Sequence, residues 1–204
     1  MKKIVCLFIG VFTCVQLFAQ GVGFKSISLK EALEQAKTQG KMVFVDCYTT
    51  WCGPCKMMTE QVFPQKEAGD FFNTHFVNVK FDMEKGEGKE LSTRFKIRAY
   101  PTFLLLEPDG TERYRIVGGG ELEEFIGRVS RGLQEKNSLP VLDKEYTTGK
   151  MSKRRMLDLV MTLQDAYDAD RLKVVADELV KRLTFNEKVS TPYWVIYEDN
   201  SLSP

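Results

Sequence analysis

Hydrophobic and polar residues alternate along the first half of the chain with the periods of helices and strands. Ser28 and Glu31 form a capping box, which predicts a helix that has its apolar residues on one face and ends at Gly40. Two compact and mostly apolar runs, 42–48 and 76–83, predict strands. This part of the chain therefore begins as helix followed by strand.

Further elements follow the same two periods. Helices are predicted over 56–62, 89–95 and 122–129, and the first of them is broken by the proline that follows it. Strands are predicted over 102–106 and 112–117, joined as a β-hairpin by a Pro-Asp-Gly turn. Helices both precede and follow the strands and should cover both faces of the sheet, so the fold class is α/β.

The pattern changes after residue 136. The segment 137–148 predicts a linker, because Pro140 interrupts it and a glycine follows it. Ser152 then caps one amphipathic helix, and a second helix of similar length follows, which predicts a helical hairpin. One such unit cannot bury its own apolar face. Either it packs on the α/β domain, or the chain is a truncated form of a helical repeat protein.

The N-terminus has the features of a secretory signal. Lys2 and Lys3 precede an almost unbroken apolar run over 4–18, and Ala19 provides a small residue at its exit. The run is shorter than the roughly 20 residues that span a membrane, so we expect cleavage near Ala19 and no stable membrane insertion afterwards. The alternative is an uncleaved anchor. Cleavage would make this an exported, periplasmic protein.

The net charge argues against nucleic-acid binding, and the length allows a division into domains. The formal net charge is +1 over 204 residues, so there is no basic excess to bind nucleic acid. We divide the chain into a signal peptide over 1–19, an α/β domain over 20–136, and a linker with a helical hairpin extension over 137–204. No residue of that extension is assigned a role in the chemistry below.

The cysteines carry the candidate chemistry. Cleavage at Ala19 would leave three of the five, Cys47, Cys52 and Cys55. If Cys52 and Cys55 lie where a strand ends and a helix begins, Cys52 falls at the N-cap and Cys55 in the first turn, close to the roughly 5.5 Å Cα separation of a disulfide. The helix N-terminus would stabilise a thiolate at Cys52, which we expect to be exposed, while Cys55 lies deeper.

The residues around the pair suit a reactive disulfide, although other interpretations are open. Pro54 fits the first helical turn, and Gly53 leaves room for a protein substrate beside the sulfur. The alternatives are a fixed structural disulfide, or half of a zinc site that would need Cys47 and His75 as further ligands. Strand alternation puts Cys47 on the face opposite Asp46, where it should be a buried small hydrophobe, so we expect no metal site.

The motif Trp-Cys-Gly-Pro-Cys-Lys over 51–56 resembles the active site of thioredoxins. Four further features match that family in the same order: Asp46, Lys80, the cis-proline signature over 100–102, and a late glycine at 118 or 119. The resemblance is greatest to the periplasmic thioredoxin-like domain of membrane electron transporters. It implies a thioredoxin fold, with a central mixed β-sheet and helices on both faces, plus a C-terminal α-helical extension.

The resemblance also implies roles for individual residues. Cys52 is the expected nucleophile and Cys55 the resolving thiol, and the two form a disulfide. Burial would raise the pKa of Asp46, which could then accept the proton of Cys55 through a water, and Lys80 would moderate the charge of Asp46.

The expected substrate-binding residues surround the pair. They are Trp51 as an apolar rim, Gly53 and Pro54 between the cysteines, and Tyr100 and Pro101. A cis bond between Tyr100 and Pro101 would leave the backbone of Tyr100 open to pair with an extended client segment.

The function that follows is an exported thiol–disulfide oxidoreductase that reduces protein disulfides by dithiol–disulfide exchange. Its expected partners are protein disulfides and a membrane electron donor, and no cofactor is expected. One alternative is a disulfide oxidase or isomerase. Another is a partner-binding module in which the dithiol is incidental.

Overall fold

A mixed β-sheet forms the centre of the α/β domain in a computed structural model that describes residues 21–198. The predicted signal peptide, 1–19, lies outside the described residues. The strands, in the spatial order β1-β3-β2-β4-β5, are Phe24–Lys25 (β1), Met42–Tyr48 (β2), Phe76–Asp82 (β3), Thr102–Leu106 (β4) and Glu112–Val117 (β5). The first three run parallel, and β4 is antiparallel to both β2 and β5.

Five helices belong to this domain, and they cover both faces of the sheet. They are Leu29–Gln39 (α1), Gly53–Met57 (α2), Lys66–His75 (α3), Glu87–Arg94 (α4) and Leu122–Leu133 (α5). A π-helical turn, Met58–Val62, continues α2. One core contains buried residues of α1 and α4, and the other contains those of α3 and α5. The predicted α/β class is confirmed.

Local sequence explains where these elements begin and end. The side chain of Ser28 accepts the backbone N–H of Glu31, and the carboxylate of Glu31 accepts that of Ser28, so the predicted capping box starts α1. Gly40 ends the helix in the left-handed conformation, at φ 63°, which glycine adopts without steric cost.

The side chains of β2 point alternately into the two cores. Val43, Val45 and Cys47 pack into the core beneath α1. Phe44 faces the opposite side, where its ring lies 4.7 Å from that of Phe72. A fully buried aromatic side chain of this kind contributes about 1.5–3 kcal/mol, so register along β2 is strongly specified.

Between residues 139 and 198 the C-terminal region contains five more helices with a core of their own. They are Leu139–Thr147 (α6), Lys153–Asp165 (α7), Ala169–Arg182 (α8), Phe185–Lys188 (α9) and Thr191–Glu198 (α10). The predicted hairpin corresponds to α7 and α8. The segment predicted as a linker is instead largely α6, because Pro140 stands in the first helical turn, where its missing N–H costs nothing.

A buried ion cluster fixes this extension to the α/β domain. The carboxylate of Asp165, in α7, accepts hydrogen bonds from Arg128 Nε at 2.7 Å and Arg131 Nη2 at 2.8 Å, both in α5. It also accepts the hydroxyl of Tyr114, in β5, at 2.7 Å. The extension therefore packs on the α/β domain, which is one of the two arrangements predicted from the sequence. Within residues 21–198 no helix has the length and apolarity of a membrane span.

Candidate active site

The two cysteines of the motif lie at the junction of β2 and α2 and form a disulfide. Their Cα atoms are 5.3 Å apart. Cys52 is the N-cap residue of α2, and its sulfur accepts the backbone N–H of Cys55 at 3.1 Å. This is the strand-to-helix placement that the spacing predicted, and it directs a free N–H group at the sulfur of Cys52.

The residues between the cysteines leave space at the start of α2. Pro54 occupies the first turn of α2, where no intrahelical hydrogen bond is lost. A Cβ atom added to Gly53 would meet nothing within 4 Å, so there is open space beside the disulfide. Both observations agree with the local geometry expected from the sequence, and the role of the two residues in substrate binding stays a prediction.

One expectation about the cysteines is wrong for the disulfide form. The sequence predicts an exposed Cys52, but the exposed fraction of Cys52 is 3%, and that of Cys55 is 4%. The sulfur of Cys52 points back over the first helical turn, where it is bonded to Cys55 and accepts its N–H group. The neighbouring Trp51 is the exposed group at this surface, at 65%.

Asp46 lies on β2 beneath the motif and is buried. Burial raises the pKa of its carboxyl from 3.8 to about 7, and the positive charge of Lys80 offsets part of that rise. Lys80 is the register partner of Asp46 on β3, and its Nζ lies 5.6 Å from the centre of the Phe24 ring. The lysine therefore acts on the pKa of Asp46 through its field, in the direction that the sequence predicted.

A small pocket opens beside Cys55. It has a volume of about 210 Å3, and Thr49, Cys55 and Lys80 are among its lining residues. Oδ1 of Asp46 and Oγ1 of Thr49 are buried and have no hydrogen-bond partner among the described residues. Buried polar atoms without protein partners are usually satisfied by internal water, and proton transfer from Cys55 to Asp46 would need such a water.

The outer surface of the site is formed by two aromatic residues. The indole of Trp51 donates a hydrogen bond to Glu84 at 3.0 Å, and its ring meets that of Tyr100 edge-on at 5.8 Å between centroids. The peptide bond between Tyr100 and Pro101 is cis. No local pattern marks Glu84 or Thr49: Glu84 contacts Trp51 across 33 residues of chain, and Thr49 is buried only in the folded protein.

Cys47 and His75 are the remaining candidate residues, considered above as possible metal ligands. Cys47 is a free, buried cysteine, and burial together with the charge of Asp46 raises the pKa of its thiol. His75 is the exposed last residue of α3, as expected. Over the described part of the chain, no three His, Cys, Asp or Glu side chains are grouped as metal ligands would be.

Comparison with known proteins identifies the family. The model of the thioredoxin-like domain matches residues 29–131, which is half of the chain. This chain belongs to the thioredoxin-like family. The fold and the pair Cys52–Cys55 agree with that assignment, and the chain is a thioredoxin-like thiol–disulfide oxidoreductase.

Individual relatives differ in how much of their length is matched. Thioredoxin AMT13 of Alternaria alternata is 35% identical over 89 residues, which cover 44% of this chain and 70% of that protein. The thiol:disulfide interchange protein DsbD of Pseudomonas fluorescens is 33% identical over 103 residues, 49% of this chain, but the match spans only 18% of DsbD.

One solved structure is similar over nearly its whole length. It is a candidate disulphide-isomerase from Bacteroides thetaiotaomicron, 45% identical, with a TM-score of 0.53. The match covers 57% of this chain and 97% of that one.

Proposed function

We propose that this protein is an exported protein-disulfide reductase that works through Cys52 and Cys55. The observation that carries the proposal is the disulfide at the start of α2, with Cys52 at the N-cap and its sulfur accepting a backbone N–H group. A donor at that position favours the thiolate over the thiol once the disulfide is reduced. Cys52 is therefore the nucleophile.

The reaction transfers two electrons from the dithiol to the client. The Cys52 thiolate attacks one sulfur of the client disulfide, forms a mixed disulfide and releases the other client sulfur as a thiolate. Cys55 then attacks Cys52 in that mixed disulfide, the second client sulfur leaves, and the protein disulfide forms. Asp46 accepts the proton of Cys55 through a water, because a carboxyl whose pKa is about 7 can take up that proton near neutral pH.

Client binding is assigned to the surface around the disulfide. Trp51 and Tyr100 offer aromatic contacts, and Gly53 and Pro54 keep the approach open. Pro101 is buried and is assigned to the site as the neighbour of Tyr100. The field of Lys80 tunes Asp46. Each turnover oxidises the protein, so a reductant outside the cytoplasm needs a membrane electron donor to reduce it again.

The test is insulin reduction by the purified protein with a thiol reductant. Wild type should precipitate insulin B chain and Cys52→Ser should not, whereas Cys47→Ala is the matched control because that cysteine is buried away from the exchange. An active Cys52→Ser variant would contradict the mechanism. Intact mass of the exported protein should show a start near residue 20, and a retained Met1 would contradict signal cleavage.

A second function has one observation in its favour. The similar structure from Bacteroides thetaiotaomicron bears the name of a candidate disulphide-isomerase. An isomerase would restore activity to scrambled ribonuclease without net reduction. Ribonuclease recovery that exceeds insulin reduction would favour that function over the reductase.

A further inference from the structure

Thr49 is a buried threonine in the turn that joins β2 to the two cysteines. It lies three residues after Asp46 and three residues before Cys52. Its backbone C=O accepts the N–H group of Cys52 at 3.3 Å, so this turn is hydrogen-bonded to the first cysteine of the disulfide. The exposed fraction of Thr49 is 1%. Its side chain is therefore enclosed within the site.

The hydroxyl of Thr49 differs from those of the other buried threonines. Thr102 donates to Ala99 O at 2.8 Å. Thr162 donates to Asp158 O, also at 2.8 Å. Oγ1 of Thr49 is buried but has no hydrogen-bond partner among the described residues. A buried hydroxyl without any partner is costly, so such a group usually binds internal water, to which it can donate a hydrogen bond.

Thr49 and Cys55 line the same pocket, whose volume of about 210 Å3 is far larger than one water needs. Three other residues with hydroxyl groups line it. They are Tyr48, which is half-buried, and Thr50 and Thr59, which are exposed. Of the three threonines that line this pocket, Thr49 is therefore the one that is shielded from bulk solvent.

The proton acceptor Asp46 lies within reach of the same place. Three residues separate it from Thr49, so the two Cα atoms are at most about 11 Å apart. Lys80 lines the pocket and is the register partner of Asp46 on β3, which puts both residues on one face of the sheet. The other charged side chains of the pocket, Lys56 and Glu60, are exposed.

Asp46 and Thr49 have complementary requirements that one water can meet. Oδ1 of Asp46, like Oγ1 of Thr49, is buried without a hydrogen-bond partner among the described residues. A carboxylate oxygen can only accept a hydrogen bond, whereas a hydroxyl can also donate one. A water that donates to the carboxylate and accepts from the hydroxyl would satisfy both atoms.

We propose that the hydroxyl of Thr49 holds the water through which Cys55 passes its proton to Asp46. The hydroxyl donates to the water oxygen. The water gives one of its protons to Oδ1 of Asp46 and takes the proton of the Cys55 thiol, which leaves a thiolate, a protonated Asp46 and an unchanged water. The thiolate then attacks Cys52 in the mixed disulfide. Thr49 is a positioning residue, because it acts through the water, and the inference rests on the second step of the proposed function.

Stopped-flow reaction of the reduced protein with excess disulfide of 5-thio-2-nitrobenzoate separates the two steps of exchange. The first absorbance phase reports attack by Cys52, and its rate grows with the concentration of the disulfide. The second phase reports attack by Cys55 and does not depend on that concentration. Thr49→Val should leave the first phase unchanged and slow the second about fivefold near pH 7, equivalent to the roughly 1 kcal/mol of one hydrogen bond.

Two further variants and a control identify the hydroxyl as the cause. Thr49→Ser keeps a hydroxyl and should restore the second phase, and Thr49→Ala, which cannot overpack the site, should slow it as valine does. The thermal midpoint of Thr49→Val should be no lower than that of wild type, because the lost hydroxyl has no partner among the described residues. Thr59→Val removes an exposed hydroxyl from the same pocket and should leave both phases unchanged.

Two readings distinguish a proton relay from a merely structural role. Near pH 10 most thiols ionise without a neighbouring acceptor, so the second phases of wild type and Thr49→Val should converge there. In the Asp46→Asn background, Thr49→Val should slow the second phase no further, because the water then has no acceptor to reach.

Each outcome bears on one of the two proposals. Equal second phases for wild type and Thr49→Val near pH 7 would overturn the role of Thr49, while insulin reduction by wild type would leave the proposed function standing. A slowing that is the same at every pH, or that adds to the effect of Asp46→Asn, would also overturn it. The absence of both phases in wild type would overturn the proposed function, and this inference with it.

Discussion

Replacing Asp46 by asparagine should stabilise the protein at neutral pH and have little effect in acid. Burial raises the pKa of this carboxyl from 3.8 to about 7 in the folded protein. Below pH 3.8 the group is protonated in both the folded and the unfolded chain. As the pH rises toward 7 the unfolded chain ionises first, so wild type loses stability over this interval and the loss is complete above pH 7. Asparagine stays neutral and avoids that loss.

The size of the effect follows from the two pKa values. A rise of about 3 pH units, at 1.36 kcal/mol per unit, corresponds to about 4 kcal/mol of unfolding free energy. Oδ1 of Asp46 has no hydrogen-bond partner among the described residues, so no protein donor offsets the burial of that oxygen. The difference between Asp46→Asn and wild type should therefore grow by about 4 kcal/mol between pH 4 and pH 8.

Urea unfolding of the disulfide form from pH 4 to pH 8 measures this difference. Glu34→Gln is the control, since that carboxylate is exposed on α1 and should leave the pH profile unchanged. Parallel profiles for wild type and Asp46→Asn would refute the assignment of a buried acid with a raised pKa. The same variant should reduce insulin more slowly, because Cys55 would lose its proton acceptor.

Three further predictions concern other side chains. Cys55→Ser should trap clients as stable mixed disulfides on Cys52, detected by mass, and Cys52→Ser should trap none; trapping by the second variant would reverse the assigned roles. Asp165→Asn should cost about 3 kcal/mol in urea unfolding, because two mostly buried arginines lose their counter-charge, and an unchanged midpoint would show that the extension is held otherwise. Cys47→Ala should cost about 1 kcal/mol of stability as a small core deletion and leave insulin reduction intact; lost activity in a folded variant would show that this thiol participates.

The local pattern of residues was sufficient to predict the elements that carry the disulfide. A strand has a period of two, so the run 42–48 alone placed Asp46 and Cys47 on opposite faces, and the structure confirms this arrangement. The strand-to-helix position of Cys52 and Cys55 also follows from residues adjacent in sequence.

Features that depend on tertiary contacts or on the redox state could not be predicted from local sequence patterns. Pro140 predicts a linker where the structure has α6, because proline interrupts a helix in its interior but suits its first turn. The cluster of Asp165 with Arg128 and Arg131 joins segments more than 30 residues apart, and no local signal reports it. The burial of Cys52 reflects the closed disulfide, which sequence spacing alone does not describe.

The reduction potential of the pair Cys52–Cys55 tests the central claim most directly. It can be measured by equilibrating the purified protein with glutathione or dithiothreitol buffers and trapping the free thiols. A reductase predicts a value near that of reducing thioredoxins, about −270 mV. A value near −120 mV, typical of a strong oxidant, would contradict the reductase and assign the pair to disulfide formation.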